Sequence, residues 1–248
     1  MAGNPELEKA ARLNEEVEQC SQQGHYNRAL PLAKQALAIH KRMLGNEHLD
    51  TASSLNTLAE VHLLQRHYRK AKPLYQQALD IRKRLLGNEH PDTALSLHNL
   101  ATVYEMQGHY KKAESLYRQA IEILQRQLED HPDTAQALHS LAVLYGSKRR
   151  YEEAESLLLQ SLKISQKQPE DTYPQTAQTL NTLAYLYQVQ RRYGEAIPLY
   201  QQALQISEQY LGSDHPLTIV VRNNLSTLLN RTRNPGLLAK LKRWFSQG

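Results

Sequence analysis

Residues 87–128 read GNEHPDTALSLHNLATVYEMQGHYKKAESLYRQAIEILQRQL, and the fold follows from this stretch. Apolar side chains at Leu97, Leu100, Ala101 and Tyr104, then at Tyr110, Ala113, Tyr117, Ala120 and Leu124, fall at intervals of three, four and seven. Such intervals place them on one face of a helix. Pro91 suits a first helical turn, where its missing N–H costs nothing, and Asp92 beside it favours the positive end of the helix dipole. The pattern predicts a helix A over 91–106, a break at Gln107-Gly108-His109, and a helix B over 110–128. Two helices joined so tightly form a hairpin.

The hairpin recurs along the chain. Gly45-Asn46-Glu47-His48 returns 42 residues later as Gly87-Asn88-Glu89-His90, and Pro91, Pro132, Pro174 and Pro216 follow at steps of 41, 42 and 42. A period of this size marks a stack of supersecondary units, each too small to bury its own apolar face. Ala59, Ala101, Ala142 and Ala184 on helix A, with Ala29, Ala71, Ala113, Ala154 and Ala196 on helix B, are small where two backbones must approach. Three tyrosine columns supply large rings: Tyr104, Tyr145 and Tyr187; Tyr26, Tyr68, Tyr110, Tyr151 and Tyr193; and Tyr75, Tyr117 and Tyr200. Rings repeated in register are expected in the core, with hydroxyls reaching polar edges. The ends depart from the pattern: Glu16, Val17 and Cys20 replace leucine, alanine and tyrosine in the first unit, and Arg222 replaces leucine in the last.

The spacing of small residues and tyrosine in helix A, the QGHY or RRY turn, and Y-x-x-A-x-x-x-Y-x-x-A in helix B resemble tetratricopeptide repeats. The longer unit, with LGNEHPDTA between hairpins and SLHNLA or TLNTLA in helix A, is similar to the kinesin-light-chain type. The fold this implies is all-α, a right-handed superhelical solenoid of antiparallel helical hairpins. Five hairpins are expected to begin near Leu7, Leu49, Pro91, Pro132 and Pro174, with a sixth helix A near Pro216. Residues 1–6 are expected to be a disordered N-terminus, 7–230 the array, and 231–248 a basic capping helix and tail.

Composition limits what such an array could do. The 248 residues carry one cysteine, Cys20, so no internal disulfide is available, and the first residues show neither the basic nor the apolar run of a signal peptide. A reducing, cytoplasmic setting and a monomer are expected. Mean hydropathy is -0.64, and no stretch approaches the roughly 20 apolar residues of a membrane helix. The net charge of +5 resides in the tail, where Arg231, Arg233, Lys240, Lys242 and Arg243 meet no acid; the rest of the chain balances 25 basic against 25 acidic side chains. A neutral array argues against nucleic acid as a partner.

In arrays of the resembled family, helix A lines a concave face, and the residues flanking its buried leucines project into the groove. Here those columns hold Asn14, Asn56, His98, His139, Asn181 and Asn223, then Glu15, Thr57, Asn99, Ser140, Thr182 and Asn224. An asparagine amide both donates and accepts, so a row of them can hold an extended backbone regardless of its side chains; equally, such amides could bond to the neighbouring repeat and fix its angle. The resemblance implies a peptide-holding role for Asn99 and Asn224, and with them Asn56, Asn181 and Asn223. Glu60, Thr102, Val143, Tyr185 and Thr227, with Leu64, Met106 and Val189, add pockets for one or two apolar anchors. These columns lack Lys and Arg until Arg231, whereas the acidic, tryptophan-bearing cargo peptides of kinesin light chains call for a basic groove. Fold and peptide binding carry over; motor transport stays open but without support from these columns.

Chemistry has little to stand on. His48, His90, His131 and His215 sit in separate loops of the repeat, with no converging ligand set for a metal, and no glycine-rich phosphate loop appears. Neither catalytic residues nor a cofactor are expected. The expected function is that of a non-catalytic scaffold or adaptor for a protein segment with apolar anchors. The alternative rests on residues 235–245, where Leu237, Leu238, Leu241, Trp244 and Phe245 share one face beside Lys240, Lys242 and Arg243. That basic amphipathic helix could cap the last repeat, or recruit the protein to an acidic membrane or nucleic acid.

Overall fold

A computed structural model describes residues 4–128, 130–167 and 173–232. The chain divides into two compact units, Met1–Leu128 and Glu129–Gly248. Among the described residues, every regular element is an α-helix.

The first unit holds three hairpins: α1 (Pro5–Gln22) with α2 (Tyr26–Leu44), α3 (Leu49–Leu64) with α4 (Tyr68–Leu86), and α5 (Pro91–Met106) with α6 (Tyr110–Leu128). The second holds α7 (Pro132–Ser147) with α8 (Tyr151–Ser165), α9 (Tyr173–Val189) with α10 (Tyr193–Leu211), and α11 (Pro216–Arg231). Within each unit, each helix packs on its predecessor and its successor. The bounds of α5 and α6 are those read from their sequence. Helix α1 starts two residues before the expected Leu7, because Pro5 sits in its first turn and the Asn4 side chain accepts from Glu6 N–H at 3.0 Å. The helix expected over 235–245 lies outside the described residues.

The loop histidines turn out to be helix caps. Nδ1 of His48, His90, His131 and His215 accepts the backbone N–H two residues on, at 3.1–3.2 Å, satisfying a donor that the first turn leaves without an intrahelical partner. Thr51 and Thr93 complete the junction by donating to the carbonyls of Gly45 and Gly87, both at 2.8 Å. Those glycines have φ of 86° and 90°, the left-handed conformation that ends helix B at little cost only when no Cβ is present.

The alanine columns of both helices are fully buried, at 0–1% exposure. Tyr75, Tyr117 and Tyr200 are buried as expected, as are Tyr145 and Tyr187. The column that opens helix B is not core: Tyr26, Tyr68, Tyr151 and Tyr193 are half-buried and Tyr110 is 41% exposed. These tyrosines stand at the hairpin turn, where one side of the ring has no neighbouring helix to cover it. Cys20 is buried in the first unit's core with Val17, Ala29, Ala33 and Leu55, where it acts as a small apolar side chain.

Two core histidines make this packing sensitive to acid. His40 and His62 are each 6% exposed, and burial is the first cause holding both below the ordinary value of 6.5; Lys70, His67 and Lys34 depress His62 further. The unfolded chain therefore takes up these protons first, and stability present above pH 6.5 is lost as pH falls below it. The melting temperature is expected to drop between about pH 6.5 and pH 5, and His62→Gln to flatten that slope, as read by circular dichroism. An unchanged slope would remove His62 from the cause.

Candidate groove on the helix A faces

The helix A columns meet one another across successive hairpins with a stagger of one residue. In the first unit Asn99 Nδ2 donates to Asn56 Oδ1 at 2.8 Å; in the second Asn224 Nδ2 donates to Asn181 Oδ1 at 3.0 Å. His139 Nε2 and Thr182 Oγ1, 3.0 Å apart, form the same kind of rung. All three pairs are 43 residues apart, one more than the period. The asparagines thus fix the angle between hairpins. An amide has two N–H donors and two acceptor lone pairs, so one such bond leaves Asn56 and Asn99 capacity for a further partner.

Around these rungs the expected residues separate into inner and outer sets. His98 packs on Tyr117 at 5.3 Å between ring centroids and lies 3.4 Å from Asn99 Oδ1. Thr102 Oγ1 donates to the His98 carbonyl at 3.2 Å and lies 3.0 Å from Tyr117 Oη, which donates to Glu105 at 2.9 Å. Burial first, then the Glu105 carboxylate, hold the Tyr117 phenol protonated far above its usual range. Thr57 and Thr182 turn back to their own helix, donating to the carbonyls of Ser53 and Gln178. His139, expected at the surface, is 6% exposed; its bond to Thr182 draws the ring between helices. Ser140 is half-buried. Outermost stand Asn223, Glu60, Met106 at 48% exposure and Tyr185 at 54%, with Val189 and Leu64 also exposed.

The first rung is missing. Asn14, Glu15, Glu18, Thr57, Glu60 and Leu64 line a cleft of about 490 Å³, and Asn14 Oδ1 is buried there without a hydrogen bond. Its counterpart in the stagger is Thr57, whose hydroxyl is already committed to Ser53. Part of the Glu60 side chain meets solvent, but burial of its carboxyl in this cleft first, and then Glu18, raise it above the ordinary range.

A cluster that the sequence reading did not single out holds α9 to its neighbours. Arg192 donates to Glu155 at 2.6 Å and to Glu195 at 2.7 Å, with its guanidinium 3.9 Å above the Tyr187 ring, while Tyr187 Oη donates to Glu155 at 2.8 Å. Hydrogen bonding from Arg192 is the first cause drawing Glu155 below the usual carboxylate range, and burial, then Glu155, push Tyr187 up to about 12. Among the described residues, no three His, Cys, Asp or Glu side chains gather as a metal site, and no helix is long and apolar enough to cross a membrane.

The tetratricopeptide repeat model matches residues 10–84, 68–126, 121–167 and 175–236. The chain belongs to the tetratricopeptide repeat family. Such repeats are in general protein–protein interaction scaffolds rather than catalysts. Among solved structures, a Podosopora anserina protein of nearly identical tetratricopeptide-like repeats, described as a kinesin light chain, is similar at 27% identity and a TM-score of 0.64, over 84% of this chain and 98% of that one. A point variant of that protein is similar at 27% identity and a TM-score of 0.65, over 85% and 99%. BtubC (BKLC) of P. vanneervenii shares the fold at 21% identity and a TM-score of 0.66, over 86% and 93%. No curated protein matches the sequence. The solved structures this chain is similar to thus include repeats of the kinesin-light-chain kind.

Proposed function

We propose that the helix A faces bind an extended segment of a partner protein, as a non-catalytic adaptor. The observation that carries this is the recurrence of an asparagine rung beside exposed apolar side chains in both units: Asn56–Asn99 with Met106, and Asn181–Asn224 with Tyr185 and Val189. The rungs supply polar contacts indifferent to sequence, and the apolar residues favour large anchors. A buried lone cysteine is compatible with a reducing cytoplasm. Recruitment through residues 235–245 has no described residue to support it.

The test is a selection of random displayed peptides on the intact protein, followed by affinity measurement on Tyr185→Ala and Asn223→Trp. Both positions are exposed, and neither contributes to a rung, so the melting temperature is expected to hold. Selected peptides should contain large apolar residues and lose roughly tenfold or more in affinity for each variant. Equal affinity for wild type and both variants, or no selected peptide at all, would refute the groove.

A further inference from the structure

The turn edge of the first unit carries a pocket of about 560 Å³, whose lining includes Arg66, His67, Arg69, Lys70, Gln107 and His109. Among the described residues, no acid lines it. Arg66, Arg69 and Lys70 are exposed and enter none of the ion pairs among the described residues.

The same turn in the second unit is charged differently. There the third residues of α8 and α10 are Glu153 and Glu195, which accept from Arg150 at 2.6 Å and Arg192 at 2.7 Å. Those carboxylates complement both the arginines and the positive end of the helix. In the first unit the corresponding residues are Arg28, Lys70 and Lys112. Helix α4 has no side-chain cap, as is also true of α2, α8 and α10, and here Arg69 and Lys70 add positive charge where the dipole already disfavours it. A local rule broken without a compensating contact is expected where a ligand compensates.

We infer that this pocket binds a phosphate monoester presented by a partner protein, a phosphorylated serine or threonine. The dianion offers three strong acceptor oxygens to two guanidinium groups, an ammonium and first-turn amides. A carboxylate, with two oxygens and a single charge, leaves most of these donors unused. A nucleic-acid strand needs cations in a run along its backbone, whereas these converge on one pocket. A bilayer needs several large apolar side chains beside the cations, and the lining offers only the half-buried Tyr68. The site stands on residues separate from the groove and does not depend on it.

The test uses the full chain at low salt, with a short labelled Gly-Ser peptide carrying one phosphoserine and its unphosphorylated twin, read by fluorescence anisotropy. The phosphopeptide is expected to bind roughly tenfold or more tightly than the twin, inorganic phosphate to compete and to shift the Tyr68 and Arg69 amide resonances, and Arg69→Glu with Lys70→Glu to abolish binding. That double variant places carboxylates where α8 has Glu152 and Glu153, so it should melt no lower than wild type; Arg69→Gln with Lys70→Gln repeats the test without charge reversal. Equal binding of the twin, undiminished binding by both double variants, or preference for single-stranded DNA or phosphatidylserine vesicles over the phosphopeptide would each overturn the inference.

Discussion

Replacing Tyr117 by alanine is expected to cost the first unit about 3–5 kcal/mol, the range for deleting a large buried ring. The side chain is 1% exposed, packs against the tilted ring of His98, and joins Thr102 to Glu105 through its hydroxyl. Tyr117→Phe separates the two contributions. It keeps the ring and removes the hydroxyl, for about 0.5–1.5 kcal/mol, since half-buried Glu105 can turn to water. Urea unfolding followed by circular dichroism should rank alanine at about twice the phenylalanine loss or more. Similar losses for the two would mean that the polar network, rather than the packed ring, holds α5 to α6.

The second large effect is expected in the other unit, at Leu138→Ala. Leu138 is 1% exposed on α7, in the column of Leu55, Leu97 and Leu180, all at 1–3%. Truncation removes apolar surface and leaves a cavity that rigid neighbours fill only in part, for about 2–5 kcal/mol. Because repeat contacts run between neighbouring hairpins, amide exchange should quicken first in α7 and α8. A loss below about 1 kcal/mol would show that the hairpin collapses around the gap.

What the sequence disclosed and what it hid have one physical boundary. Helices α5 and α6 were legible to the residue because proline, helical periodicity and the Gln-Gly-His break act within one hairpin. The capping by His48, His90, His131 and His215 was not, since histidine is outside the usual set of capping residues. The Asn56–Asn99 rung was legible only as one of two roles, a row of amides for a ligand or a tie between repeats; the structure shows a bond between repeats that leaves both amides capacity for a ligand. His139 was placed at the surface by the resemblance, which does not carry the one-residue stagger that sets it against Thr182. Side chains whose partners come from the next hairpin depend on that offset, which no single hairpin encodes.

The constant 43-residue span of the rungs also has a consequence for descent. A duplication or deletion of one complete hairpin keeps the facing columns in register, whereas a fragment of a hairpin, or one added residue, misaligns them at that junction. Such a gene can change the length of its product in whole steps without shifting one hairpin's columns against the next.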